Sequence, residues 1–433
     1  MQKFHVSTLG CKINQYESEA LGEAWRAKGM VEAESPEAAQ VLLVNSCAVT
    51  SRAVSDLRAT VRRLRKQNPS ARIVVTGCAA QVLAAELAAM PEVDAVVPQD
   101  RKAELLAGPL ADLRPDVAKA PHRFPPFEIG AFRRARAVVK VQDGCSHRCT
   151  YCIVPLTRGG SVSRDPAETL REVRRLLEAG YRELVLSGVN LRQFGRDLPE
   201  PLDFWDLLAL LERELAPQWA GRARLRLSSV EPGQLDSKAL DVLGNSRLVA
   251  PHLHLSLQSG DPEVLRRMGR GHYRPGQVAE FLKGLEGAWP RLGLGADILT
   301  GFPGETVEQF ENTCAFVRAL PLTYAHVFPY SPRPGTPAAD WPDTLTKAER
   351  TARAATLRGI AEARKRAFAK ELAALPELTV LVEKVEGGVG QGVCEFYSSC
   401  QVTGTSLPVG SLVRMRPAGP SGMEGGKITG DAL

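Results

Sequence analysis

Residues 137–160 read AVVKVQDGCSHRCTYCIVPLTRGG, an apolar strand candidate followed at once by Cys145, Cys149 and Cys152 in Cys-x3-Cys-x2-Cys spacing. Five further apolar runs follow it: ELVLSG (183–188), ARLRLSS (223–229), PHLHLSL (251–257), LGADILTG (294–301) and TYAHVFPY (323–330). Helical segments separate them, and strands alternating with helices imply a parallel sheet. Six such units predict a partial, six-stranded parallel barrel, short of the eight of a complete one. Chemistry on such a scaffold belongs to the loops at the carboxyl ends of the strands, and the three cysteines occupy the first of these loops.

Upstream, the same grammar recurs on a smaller scale. FHVST (4–8), VLLVNS (41–46) and RIVVTG (72–77) each lead to a cysteine, Cys11, Cys47 and Cys78, and then to a helix from about Tyr16, Ser51 and Ala80. This predicts a doubly wound parallel α/β sheet over residues 1–115, with all three thiols at the end where such sheets bind ligands. Helix N-termini nearby favour an anionic group there. A linker at 116–133, broken by Pro121, Pro125 and Pro126, separates this sheet from a barrel domain at 134–372. From 373 to 433, LTVLVEKV, QGVCEFY, CQVTG and SLVRMRP are short strands between Gly- and Pro-rich turns, which predicts a small antiparallel, OB-like barrel.

Composition limits the function classes. Of 433 residues, 44% are hydrophobic and 24% charged, which excludes a disordered or fibrous chain. The N-terminus lacks a secretory h-region, and no apolar stretch reaches the roughly 18 residues a membrane helix needs. A cytoplasmic protein is expected. The net charge of +6 hints weakly at a polyanionic partner. Eight basic residues between Leu345 and Lys370, against Glu349 and Glu362, read as a solvated helix face or a phosphate-contacting one. GFPGE (301–305) lacks the Lys-Ser/Thr of a P-loop and reads as a strand-end turn.

Nine cysteines in a reducing compartment are not a disulfide framework. For Cys145, Cys149 and Cys152 two readings compete. Zinc normally takes four ligands, and only His147 could complete a tetrahedron here. An iron–sulfur cluster suits soft thiolates, and three of them leave one iron of a four-iron cube open for a substrate. Cys314, Cys394 and Cys400 read as buried apolar residues.

Beyond these three cysteines, TLGCKINQYESE (8–19), VNSCAVT (44–50), VTGCAAQ (75–81), LSGVN (186–190), LSSVEP (227–232), HLSLQSGD (254–261), RRMGR (266–270), DILTGFPGE (297–305) and HVFPYSPRPGTPAA (326–339) resemble the radical-SAM methylthiotransferase family nearly end to end. TLGCKINQYES resembles the branch acting on N6-threonylcarbamoyladenosine at position 37 of tRNA. Other branches act on isopentenyladenosine in tRNA or on a ribosomal-protein aspartate. The resemblance implies two [4Fe–4S] clusters, one on Cys145, Cys149 and Cys152 that binds S-adenosyl-L-methionine (SAM), the other on Cys11, Cys47 and Cys78. One SAM then serves as methyl donor and one as radical source for methylthiolation of carbon 2. It further implies SAM contacts at Tyr151, Ser187, Gly188, Asn190, Ser229, Glu231, Gln258 and Asp297. Some of these equally suit structural roles: LSGVN a strand-to-loop turn, Glu231 a helix start beside Pro232. Arg158 and Arg164 are candidates for a carboxylate or phosphate. Implied partners are tRNA, an electron donor such as flavodoxin or ferredoxin, and a sulfur source. The tail resembles the RNA-binding TRAM module, although its net charge suits phosphate poorly; phosphate contacts then fall to the Leu345–Lys370 helix and to Arg133, Arg134 and Arg136.

Overall fold

A computed structural model describes residues 1–109, 123–342 and 345–433. Pro121 and the first part of the expected linker lie outside them. Five parallel strands form the N-terminal sheet: β1 (Lys3–Thr8), β2 (Val31–Glu32), β3 (Val41–Ser46), β4 (Arg72–Gly77) and β5 (Ala95–Pro98), in the order β2-β1-β3-β4-β5. That order reverses between β1 and β3, the position where doubly wound sheets open a crevice for ligands. β3, apolar apart from its last two residues, is buried along its whole length, as a central parallel strand must be.

The second body is built from β6 (Arg136–Asp143), β7 (Val162–Ser163), β8 (Glu183–Gly188), β9 (Arg224–Leu227), β10 (Ser229–Val230), β11 (His252–Gln258), β12 (Gly293–Thr300) and β13 (Tyr324–Pro329). All six predicted strands are present; β9 and β10 are two pieces of the third, interrupted at Ser228. The sheets β7-β6-β8-β9 and β10-β11-β12-β13 curl towards each other, with β13 left at an edge. β7 pairs antiparallel with β6; the other pairs in these two sheets are parallel.

A 27-residue helix, Lys347–Ala373, opens with a Thr346–Glu349 capping box and lies against β13. Half of its basic residues turn inward. Arg350 donates to the Gly301 carbonyl, Arg353 pairs with Glu305, and Arg358 and Arg364 donate to Val327 and Leu320 carbonyls. The chain ends in a closed barrel of β14 (Leu378–Glu386), β15 (Val389–Cys394), β16 (Ser399–Thr403), β17 (Leu412–Pro417) and β18 (Ile428–Ala432). It is antiparallel except where β18, a strand the sequence pattern does not announce, runs parallel to β16.

Buried charges join the three bodies. Glu17 of the first helix, wholly buried, meets Lys102 at 2.6 Å, Lys140 of β6 at 2.7 Å and Arg158 at 2.9 Å. Glu183, at the foot of β8, pairs with Arg224 and Arg226, whose remaining N–H groups donate to the carbonyls of Thr379, Val393, Cys394 and Glu395. The C-terminal barrel thus plugs the amino-terminal end of the larger one.

Candidate active site: two three-cysteine centres

Strand register brings Cys11, Cys47 and Cys78 together. Ser46 pairs with Gly77 across β3 and β4, so Cys47 and Cys78 leave adjacent strands side by side. Gly10 has φ +101°, and a Cβ there would lie 2.7 Å from the Cys47 Cβ. Gly77 has φ +97° against the Ser46 backbone. Only glycine fits both places. Cys11 caps the helix Lys12–Ala27, and Cys78 begins the helix Cys78–Val82, so two of the thiols meet helix N-termini. Both helices start earlier than the sequence pattern suggests, because the cysteines themselves open them. Burial, with Cys78 and Cys11 close by, pushes the Cys47 thiol up to about 11.

The second centre forms one pocket, lined by Cys145, Cys149, Tyr151, Cys152, Asn190, Ser229, Glu231, Gln258 and Arg270 among others. The Asn190 and Gln193 amides donate to Cys145 Sγ at 3.7 and 3.5 Å, and Arg270 approaches Cys149 Sγ at 4.0 Å. Glu231 meets Arg270 at 2.5 Å and His272 at 3.0 Å. Burial would raise its carboxyl, but the His272 hydrogen bond and Arg270 outweigh it and hold it below the usual range. Gln258 has φ +63°, a left-handed conformation that costs a side-chain-bearing residue on the order of 1–3 kcal/mol. Burial pushes Cys152 up to about 12.

Three expected contacts sit elsewhere. Ser187 is buried in β8. Gly188 packs against Gln142 and Leu191, whose side chains a Cβ would strike. Asp297 turns to His254 at 3.0 Å and His326 at 3.2 Å, and reaches the pocket only through Ser229 at 3.5 Å. Arg158 and Arg164 do meet carboxylates, but those of the protein itself: Arg158 pairs with Glu17 and Asp143, and Arg164 with Glu172. Pattern reading assigned no role to Gln193, Arg270 or His272. Arg270 had a signal in RRMGR, but its partners Glu231 and Cys149 lie far away in sequence.

The donor sets fit a cluster better than a lone ion. Among the described residues neither cysteine trio has all its sulfurs within 4.8 Å of one another. Zinc–sulfur bonds of about 2.3 Å require sulfurs roughly 3.8 Å apart, and a four-iron cube holds them wider. His147 shares the Glu231–His272 group instead of joining the thiols. The helix Cys78–Val82 packs on the helix Val154–Arg158 that follows Cys152, so the two centres share one joint.

Two family models match, "Uncharacterized protein family UPF0004" over residues 3–98 and "Radical SAM superfamily" over 139–317. The chain is 35% identical over 429 residues to the threonylcarbamoyladenosine tRNA methylthiotransferase MtaB of Bacillus subtilis (strain 168), covering 95% of this chain and 92% of that protein. It belongs to the radical-SAM methylthiotransferase family. The tRNA-2-methylthio-N(6)-dimethylallyladenosine synthase of Cereibacter sphaeroides (strain ATCC 17025 / ATH 2.4.3), another methylthiotransferase, is also 35% identical, over 99% of each chain. Among solved structures the radical S-adenosylmethionine methyltransferase TsrM of Kitasatospora setae shares the fold, with TM-score 0.56 at 15% identity, over 78% of this chain and 77% of that one. Methylthiotransferase chemistry needs a radical centre and a separate sulfur-bearing centre, and the two cysteine trios provide places for both.

Proposed function

We propose that this methylthiotransferase acts on carbon 2 of N6-threonylcarbamoyladenosine beside the tRNA anticodon. The observation that carries the reading is the pair of three-thiol centres, each at the carboxyl end of a parallel sheet and joined by two packed helices. Cys145, Cys149 and Cys152 would hold the [4Fe–4S] cluster that binds SAM, and Cys11, Cys47 and Cys78 a second [4Fe–4S] cluster. Once bound, these groups supply reductive cleavage of SAM and the sulfur that is methylated and transferred. The chain's own residues position them. Asn190 and Gln193 donate to the Cys145 sulfur and stabilise its thiolate. The Glu231–Arg270 pair presents fixed, opposite charges at the pocket wall, suited to the ammonium and carboxylate of SAM. Ser229 and Gln258 offer further polar contacts, and Tyr151 an aromatic face.

The threonylcarbamoyl branch is supported by the TLGCKINQYES segment and by relatives named for that substrate. An electron donor of flavodoxin or ferredoxin type and a separate sulfur source complete the reaction. No helix among the described residues is long and apolar enough to cross a membrane, which suits a cytoplasmic site of action. The test is mass spectrometry of nucleosides from tRNA incubated with anaerobically reconstituted protein, SAM, sulfide and dithionite. A 2-methylthio product from threonylcarbamoyl-bearing tRNA alone is expected. Product from isopentenyl-bearing tRNA alone would keep the chemistry and overturn the branch.

A further inference from the structure

An aromatic line runs up the interior face of the larger barrel, from its floor to the cluster loop. Alternation along β13 puts Tyr324, His326 and Phe328 on that face, while Val327 turns to the outer core. At the floor Tyr324 is covered by Tyr397 and His252, with ring centroids 5.6 and 6.0 Å away. At the top Tyr330 lies 5.6 Å from Phe302, which lies 6.4 Å from Tyr151. Between these covered ends two rings are bare. Phe328 is 45% exposed and the His326 side chain 58% exposed, with centroids 6.4 Å apart. Asp297 holds the His326 ring through Nδ1 at 3.2 Å. Because β13 is an edge strand, these rings face the barrel's open side, and the segment just above them reaches the N-terminal domain through Arg333 and Ser51.

Lys12, the residue after Cys11, meets the same opening. It is solvent-accessible, its ammonium lies in the field of Tyr397, Arg136, Arg226 and Asp297, and it makes no hydrogen bond or ion pair among the described residues. Bare aromatic faces accept a flat heterocycle, and an unpaired cation beside them accepts an anionic substituent.

We infer that His326 and Phe328 form the platform on which the reacting adenine stacks, and that Lys12 takes the carboxylate of the threonylcarbamoyl group. The inference rests on the proposed function and adds specificity-determining residues to it. Steady-state methylthiolation is compared on threonylcarbamoyl-bearing tRNA and on the same tRNA with that carboxylate methyl-esterified. Wild type prefers the free acid; Lys12→Gln brings the kcat/KM ratio close to one with iron content unchanged, and Lys12→Arg restores the preference. Phe328→Ala raises KM for both substrates about ten- to a hundredfold, and Phe328→Tyr restores it. Equal losses on both substrates in Lys12→Gln, or a wild-type KM in Phe328→Ala, would overturn the inference and leave the function standing. Failure of wild type itself on the threonylcarbamoyl substrate would overturn the function and the inference with it.

Discussion

Glu17→Gln tests whether the two cysteine centres are held in register by one buried charge. Glu17 is fully buried and faces Lys102, Lys140 and Arg158. Burial alone would raise its carboxyl, and the three cations hold it well below the ordinary range. In the variant Asp143 still serves Lys140 and Arg158, but Lys102 keeps only the Asn45 amide oxygen at 3.0 Å. Leaving a buried charge unpaired costs about 3–5 kcal/mol, and a glutamine oxygen recovers part of one hydrogen bond, so about 3 kcal/mol is expected. A global melting temperature is ill-defined for a multi-domain chain, so the assay is hydrogen exchange of peptides covering Lys12–Ala27. Their protection should fall about a hundredfold. Burial already pulls the Lys102 pKa down, against Glu17, which raises it. Without Glu17 it falls further, the unfolded chain binds more protons, and stability rises with pH. The penalty should therefore shrink between pH 7 and about 9. A fall in protection under about fivefold, or a penalty that grows with pH, would refute the reasoning.

Gly10→Ala should strip iron from the N-terminal centre alone, because the new Cβ meets Cys47; iron analysis should show half the wild-type content, with SAM cleavage retained. Glu183 is held down to about 2 by Arg226 and Arg224 against the opposing effect of burial, from about 4.3 when unfolded. Its contribution of about 3 kcal/mol is present above pH 4.3 and lost as pH falls towards 2, so the stability gap between wild type and Glu183→Gln in urea should close over that window. Lys365 and Arg366 remain on the exposed side of the long helix; reversing both to Glu should weaken tRNA binding and flatten its salt dependence, read by filter binding.

Strand positions were legible because a buried parallel strand must be apolar and must stop at a turn, and here a cysteine or a glycine marks most of the turns. The cysteine sets were legible for the same reason. Buried charges were not. Lys102, Lys140 and Arg158 look like solvent-facing residues in their local windows, and their shared partner Glu17 lies 85, 123 and 141 residues away. The basic helix misled in the same way: four of its cations are spent on carbonyls and Glu305, leaving a smaller exposed charge than the run suggests. β18 escaped notice because Thr429, Gly430 and Asp431 have little strand character, and only its pairing with β16 and β17 makes it one.

The TLGCKINQYESE segment reads as a cysteine motif, yet most of it is interface. Asn14 bonds the Leu9 and Ser46 carbonyls and accepts from Arg158, Tyr16 donates to the Phe127 carbonyl, and Glu17 and Ser18 are buried. Arg158 in turn follows the last cysteine of the second centre by only six residues. A transfer between two centres needs reacting groups held within a fraction of an ångström, and loops alone do not provide that. Burying ion pairs at the joint gains little net stability but fixes one geometry, since any shift leaves a charge unpaired in a dry interior. On this argument the residues around Cys11 do two jobs: Lys12 faces the substrate opening while Asn14, Tyr16 and Glu17 lock the distance between the centres. Substitutions at the second group should impair product formation more than SAM cleavage, because cleavage needs one centre and product needs both.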